Sequence, residues 1–204
     1  MKLVALDVAI LPPPDVAARA IAISAALPAP RAGGSGDSDP SERLVLDSQH
    51  LPHVTLTQHF VRGSDLALAF SHIDAALATQ QPLPIVVTGG GRSRQTLWLS
   101  VKRTPELLDL HGRLMDTLRG LERREGGPRA FYDGDGRVRD VSWVGGFRLK
   151  ASGSAFTPHI TLGDGPDVPA IEPFAFEATT VAACHLGRFC TCRKVLRAWN
   201  LKRA

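Results

Sequence analysis

Pro52-His53-Val54-Thr55-Leu56 and Pro158-His159-Ile160-Thr161-Leu162 are one five-residue phrase written twice, 106 residues apart, differing only by Val54 against Ile160. From this chain's own residue frequencies, about 0.004 copies of P-H-x-T-L are expected by chance. On a strand, residues i and i+2 share a face. The spacing therefore predicts two strands on which His53 and Thr55, and likewise His159 and Thr161, look into one groove. Val54, Leu56, Ile160 and Leu162 then point into the core. Each proline favours extended backbone in the residue before it and marks a strand start.

Working outward, residues 3–11 form an apolar run with one acidic break at Asp7, a first strand. Asp15 is placed to cap a helix over 16–27, which Pro28 and Pro30 end. The segment 28–42, PAPRAGGSGDSDPSE, is rich in Pro, Gly, Ser and Asp and reads as a mobile loop. A strand over 53–61 is followed by a helix over 64–79 with Ser64 as its cap. Two strands near 83–88 and 96–101 flank GGGRSRQ, which reads as a hairpin turn: no G-K-[ST] follows, and a strand rather than a helix comes next. Thr104 caps a further helix with Pro105 at its first position and Leu107, Leu110, Leu114 and Leu118 on its apolar face. Residues 122–155 read as irregular, Gly-rich and basic. Strands close the chain near 159–162, 176–184 and 190–199.

The 204 residues are 44% hydrophobic and 22% charged, the mixture of a soluble globular domain. That excludes a disordered tail, a collagen-like fibre and a disulfide-stapled mini-protein, and no window carries the roughly 18 consecutive apolar residues of a membrane span. The start has no small-residue signal cleavage site, so a cytoplasmic location and no membrane partner are expected. Net charge is +4, with 24 Lys and Arg against 20 Asp and Glu. Arginine suits phosphate, but composition alone names no ligand.

Cys184, Cys190 and Cys192 are too few and too clustered for a disulfide framework. C-x-C places Cys190 and Cys192 on one face of a strand, where they read as buried thiols rather than as a redox pair. His50, His53 and His59 have no acidic or thiol ligand at useful spacing. Neither a metal nor a cofactor is expected. His50, His59, His72, His111 and His185 are read as solvent-facing or structural.

Two imidazoles and two hydroxyls facing one cleft suit acid–base cleavage of a phosphodiester. An imidazole titrates near pH 6.5, so one can be neutral and accept a proton while the other is charged and donates one. The hydroxyls can donate to non-bridging phosphate oxygens. Tyr132 and Trp143 are candidates for stacking a nucleobase, with core packing as the plainer fate of each.

PHVTL with PHITL resembles the paired H-x-T-x motif of the two-histidine (2H) phosphoesterase superfamily, and more closely its bacterial 2′-5′ RNA ligase/cyclic phosphodiesterase group; FTPHITLG at 156–163 and the order of elements carry the same likeness. The likeness covers nearly the whole chain in organisation, although only the two motifs are specific. It implies an α+β fold of two pseudo-symmetric lobes, each an antiparallel sheet with outer helices, with the motif strands facing a central cleft. Residues 1–204 then form a single bilobal domain, with the motifs at 53–55 and 159–161. The implied activity is metal-independent hydrolysis of 2′,3′-cyclic phosphates on RNA 3′ ends or small nucleotides, usually to a 2′-phosphate, with reverse 2′-5′ ligation in some members. His53 and His159 are implied as the catalytic pair, donor and acceptor respectively, and Thr55 and Thr161 as phosphate ligands. A monomer with no obligate protein partner is expected. Alternatives are a catalytically weak nucleotide- or RNA-binding module and a phosphodiesterase for ADP-ribose-type cyclic phosphates. The sequence departs from many relatives in having Gly163-Asp164-Gly165 where an arginine follows the second motif, leaving Arg92, Arg94 or Arg148 to compensate.

Overall fold

The computed structural model describes residues 2–28 and 43–203. The 28–42 segment, read from sequence as a mobile loop, lies outside them except for Pro28. In chain order the elements are β1 (Leu3–Leu11), α1 (Pro14–Ala26), β2 (Val54–Arg62), α2 (Leu66–Leu77), β3 (Leu83–Ser93), β4 (Thr96–Val101), α3 (Pro105–Thr117), α4 (Val138–Lys150), β5 (His159–Asp164), β6 (Phe174–Ala178), β7 (Thr180–Leu186) and β8 (Cys192–Asn200). They make two antiparallel four-stranded sheets, ordered β2-β1-β7-β8 and β5-β4-β3-β6. Each motif strand is therefore an edge strand of its own sheet. The sheets are not the two halves of the sequence: the first takes strands from both ends of the chain, and the second takes the middle. A single residue, Thr179, carries the chain from β6 in one sheet to β7 in the other.

One apolar cluster joins both sheets with α1, α2 and α3, and it includes Val54, Leu56, Ile160 and Leu162, all fully buried. The alternation read from the two phrases thus sets the core as expected. Helix α3 also forms as expected: Thr104 Oγ1 accepts from Leu107 N at 3.3 Å, Pro105 opens the helix, and Leu107, Leu110 and Leu114 are buried. Among the described residues no helix is long and apolar enough to cross a membrane.

Four expectations are corrected. Pro13, not Asp15, is the N-cap of α1, and Asp15 sits in the first turn, where its charge suits the helix dipole. Ser64 does not cap α2; it lies in a 3-10 turn and its hydroxyl donates to Asp65 at 3.0 Å. The three glycines are not the turn but the end of β3, and the reversal falls at Arg94, whose φ is 55°. The stretch 122–155 contains α4, which the adjacent Gly145 and Gly146 disguise as loop. Gly145 is there because a Cβ would lie 2.3 Å from the Arg124 carbonyl oxygen, so the helix can approach that backbone only without a side chain.

Candidate active site

Each motif histidine is tethered in the same way. Nδ1 of His53 donates to the Leu51 carbonyl and Nδ1 of His159 to the Thr157 carbonyl, both at 2.7 Å. A carbonyl only accepts, so Nδ1 carries the proton in both rings and Nε2 is left for chemistry. The proline between the histidine and that carbonyl fixes the local bend, which gives the Pro in each phrase a function beyond starting the strand.

Each motif also ends in the same irregularity. Along β2 the register passes from Thr55 opposite Ala9 to Thr57 opposite Val8, so Leu56 is an extra residue. Along β5 it passes from Thr161 opposite Trp98 to Gly163 opposite Leu97, so Leu162 is extra. These are twin β-bulges, which twist a strand and re-aim its side chains. A bulge takes a carbonyl out of the ladder, and here a helix side chain meets it each time. Nδ1 of His111, on α3, donates to the Leu56 carbonyl at 2.6 Å. The Ser24 hydroxyl, on α1, donates to the Leu162 carbonyl at 2.5 Å while accepting from Leu46 N at 2.9 Å. His111 is held flat against Phe156, 3.8 Å between centroids and 6° between planes.

The first bulge has a consequence that strand parity does not forecast. It turns Gln58 onto the face of His53 and Thr55, opposite Asp7 on β1. Asp7 is fully buried; its Oδ2 accepts from Thr55 Oγ1 at 2.8 Å and from Gln58 Nε2 at 2.7 Å, and it lies 3.8 Å from Nε2 of His53. Burial holds the Asp7 carboxyl above the usual range, against the lowering effects of His53, Gln58 and Thr55. Its Oδ1 has no hydrogen-bond partner among the described residues.

The second motif has different surroundings. His159 lies beside Trp98, with ring centroids 5.2 Å apart, and opposite Ser100, whose hydroxyl receives the Trp98 indole N–H at 3.2 Å. Gly91 makes room for that indole: a Cβ there would lie 2.3 Å from the ring nitrogen. Burial pushes the His159 pKa down, the Thr157 carbonyl opposes this, and the charge of His53 depresses it further. The two imidazoles are thus brought within electrostatic reach of each other, one beside a carboxyl and one beside an indole.

The ring contacts of Tyr132 and Trp143 are with residues outside the two motifs. Tyr132 meets His185 edge-on at 5.7 Å with the Arg193 guanidinium 5.5 Å from its ring, and Trp143 stands 40% exposed on α4, edge-on to Phe147. The aromatic ring at the motif is Trp98, signalled in sequence only by sharing parity with Ser100 on β4. Of the arginines, Arg148 is held by Glu122 and the Met115 carbonyl, and Arg92 donates to the Pro166 carbonyl at 3.0 Å. Asp164 accepts from the Thr96 hydroxyl at 2.9 Å. The C-x-C reading is corrected as well. Cys190 lies in a 3-10 turn with φ 53°, so it shares no strand face with Cys192; Cys192 instead meets Cys184 across β7 and β8.

The profile of the 2′-5′ RNA ligase superfamily matches residues 12–189, a span that contains both motifs and all of their supporting helices. The chain belongs to that superfamily. Its members include phosphoesterases and ligase-like enzymes, and this chain is one of their fold. Escherichia coli LigT complexed with 3′-AMP is 19% identical, with 99% of this chain and 100% of that one covered at a TM-score of 0.59. LigT complexed with NADP+ gives 17% over 99% and 100% at 0.59, and the TT0787 protein of Thermus thermophilus gives 16% over 97% and 98% at 0.58. At these identities the likeness is one of fold. No curated protein matches the chain in sequence.

Proposed function

We propose that the chain is a metal-independent phosphodiesterase that opens 2′,3′-cyclic phosphates on RNA 3′ ends or small nucleotides, with His159 as general base and His53 as general acid. The observation that carries this is the matched tether: two imidazoles with Nδ1–H fixed at 2.7 Å to the carbonyl two residues back, each left with Nε2 as its working atom. Their surroundings divide the roles. Burial keeps His159 neutral, which suits a base, whereas a proton on His53 is balanced by the Asp7 carboxylate 3.8 Å away.

In the reaction His159 takes a proton from water as the water oxygen bonds to phosphorus. The bond from phosphorus to O3′ breaks, and His53 protonates the leaving oxygen. A 2′-phosphate results, and the proton on His159 returns through solvent. The Thr161 hydroxyl donates to a non-bridging oxygen as charge builds there. Thr55 serves the same end by turning its hydroxyl from the Asp7 carboxylate, to which it donates at 2.8 Å, to the phosphate. The nucleotide ligands named for LigT, 3′-AMP and NADP+, support a nucleotide as the substrate class.

The test is hydrolysis of a 2′,3′-cyclic nucleotide panel, ADP-ribose-type cyclic phosphates included, in EDTA. Activity is expected to survive chelation and to drop at least about 100-fold in both His53→Ala and His159→Ala. The pH profile is expected to be bell-shaped with its acid limb below pH 6.5, since His159 must be neutral and its pKa is lowered from that value. Loss of activity in EDTA, or its retention in either variant, overturns the mechanism. Binding without turnover would make the chain a nucleotide-binding module.

A further inference from the structure

We propose that Asp7, His53 and Cys192 form a site for a thiophilic divalent cation of the zinc class, and that occupancy switches the phosphodiesterase off by engaging Nε2 of His53. The switching clause rests on the function proposed above; the binding clause does not. The three residues, all buried, each offer one donor atom, and these atoms lie within 4.8 Å of one another. In a tetrahedral site with bonds of about 2.0–2.3 Å, neighbouring donors stand roughly 3.3–3.8 Å apart, so shifts of about an ångström close the triangle on a single ion. A carboxylate and a thiolate together cancel the ion's two charges, which a buried site requires. The sulfur selects zinc-like ions over magnesium or calcium.

A second observation points independently to a cation. Asp7 has one oxygen fully engaged, by Thr55 and Gln58, while the other, Oδ1, is buried with no hydrogen-bond partner among the described residues. A positive ligand would satisfy it. The outer contacts also match those of a metal site: the non-ligating nitrogen of His53 donates to the Leu51 carbonyl, and Thr55 and Gln58 hold Oδ2 of the carboxylate, the oxygen 3.8 Å from Nε2 of His53. The backbone supplies the convergence, since Leu51 N donates to the Cys192 carbonyl at 3.0 Å and so fixes the thiol beside the approach to His53. Cys184, in contact with Cys192, is a nearby fourth donor, with water as the alternative. Binding releases the Cys192 thiol proton to solvent, so affinity is expected to rise with pH.

The experiment titrates chelator-free protein with Co2+, then with Zn2+ in competition, and repeats this with Cys192→Ala, Cys192→Ser and His53→Ala. One equivalent of Co2+ with a near-ultraviolet thiolate-to-cobalt band is expected, displaced by Zn2+ and absent in all three variants. Zn2+ is expected to inhibit cyclic nucleotide hydrolysis at the same stoichiometry, reversibly with EDTA. Cys192→Ala is expected to retain basal activity in EDTA and to need at least tenfold more Zn2+ for inhibition. No band, or binding undiminished in the cysteine variants, overturns the site. Stoichiometric binding without inhibition overturns the switch alone. If the protein hydrolyses no cyclic phosphate, the cobalt spectrum still decides the binding clause.

Discussion

Asp7 interrupts a strand that is otherwise apolar, and the structure shows the cost. Its carboxyl is fully buried, with one oxygen unpartnered among the described residues and its pKa raised by desolvation. A carboxyl whose folded-state value is raised favours the folded state at low pH, and that contribution is lost as the pH climbs through the raised value. Asp7→Asn keeps an oxygen for Thr55 and Gln58 without the buried charge. Its stability relative to wild type is therefore expected to improve from pH 5 to pH 8, reaching a gain of about 1 kcal/mol or more at pH 8 in urea unfolding. Activity is expected to fall by roughly tenfold, because His53 loses its counter-charge. An Asn variant less stable than wild type at pH 8 would contradict the account of Asp7 as a charge retained for function.

At the scale of elements, the twin bulges and their helix-borne donors distinguish this arrangement from two ordinary edge strands. Ser24 closes two buried hydrogen bonds, to the Leu162 carbonyl and from Leu46 N. Ser24→Ala leaves both groups unpaired and is expected to cost about 1–3 kcal/mol in chemical unfolding. Ser64→Ala, at an exposed serine bonded to its neighbour Asp65, is expected to stay within about 0.5 kcal/mol. Equal effects at the two serines would show that the bulge carbonyl has no need of its donor. The capping of α3 by Thr104 and the in-and-out alternation of the two phrases were legible from sequence because they are set within three residues or fewer. Helix α4 was not legible: Gly145 answers to the Arg124 backbone, a tertiary circumstance.

Across the whole molecule, buried imidazoles couple the fold to pH. His59 lies 3.3 Å from Glu122, yet burial and the nearby Arg148, which itself holds Glu122, push its pKa down to about 3. It is therefore neutral, and the contact with Glu122 is not an ion pair at neutral pH. His111, His159 and His185 are lowered as well, chiefly by burial. Histidines with depressed folded-state values contribute stability that is present above pH 6.5 and is lost as the pH falls below it, since the unfolded chain then takes up protons that the native state refuses. His59 alone gives a slope of about 1.4 kcal/mol per pH unit in that window. Urea midpoints measured from pH 7 to pH 4 are expected to fall accordingly and to fall less steeply in His59→Gln. A flat wild-type curve would refute the neutral buried state.

The sequence by itself determined what local contacts determine. The repeated phrase sets the facing pairs His53 with Thr55 and His159 with Thr161, and it buries Val54, Leu56, Ile160 and Leu162, because strand parity and a proline are enough for that. Only the tertiary structure decided what stands around each imidazole. Asp7 reaches Thr55 across 48 residues, Ser24 reaches Leu162 across 138, and Cys192 comes under His53 through a backbone contact with Leu51. The acidic and thiol neighbours that spacing denied to His53 are supplied by strands from the two ends of the chain. Sheet order and bulges select those neighbours, and both follow from how the whole core packs rather than from any short run of residues.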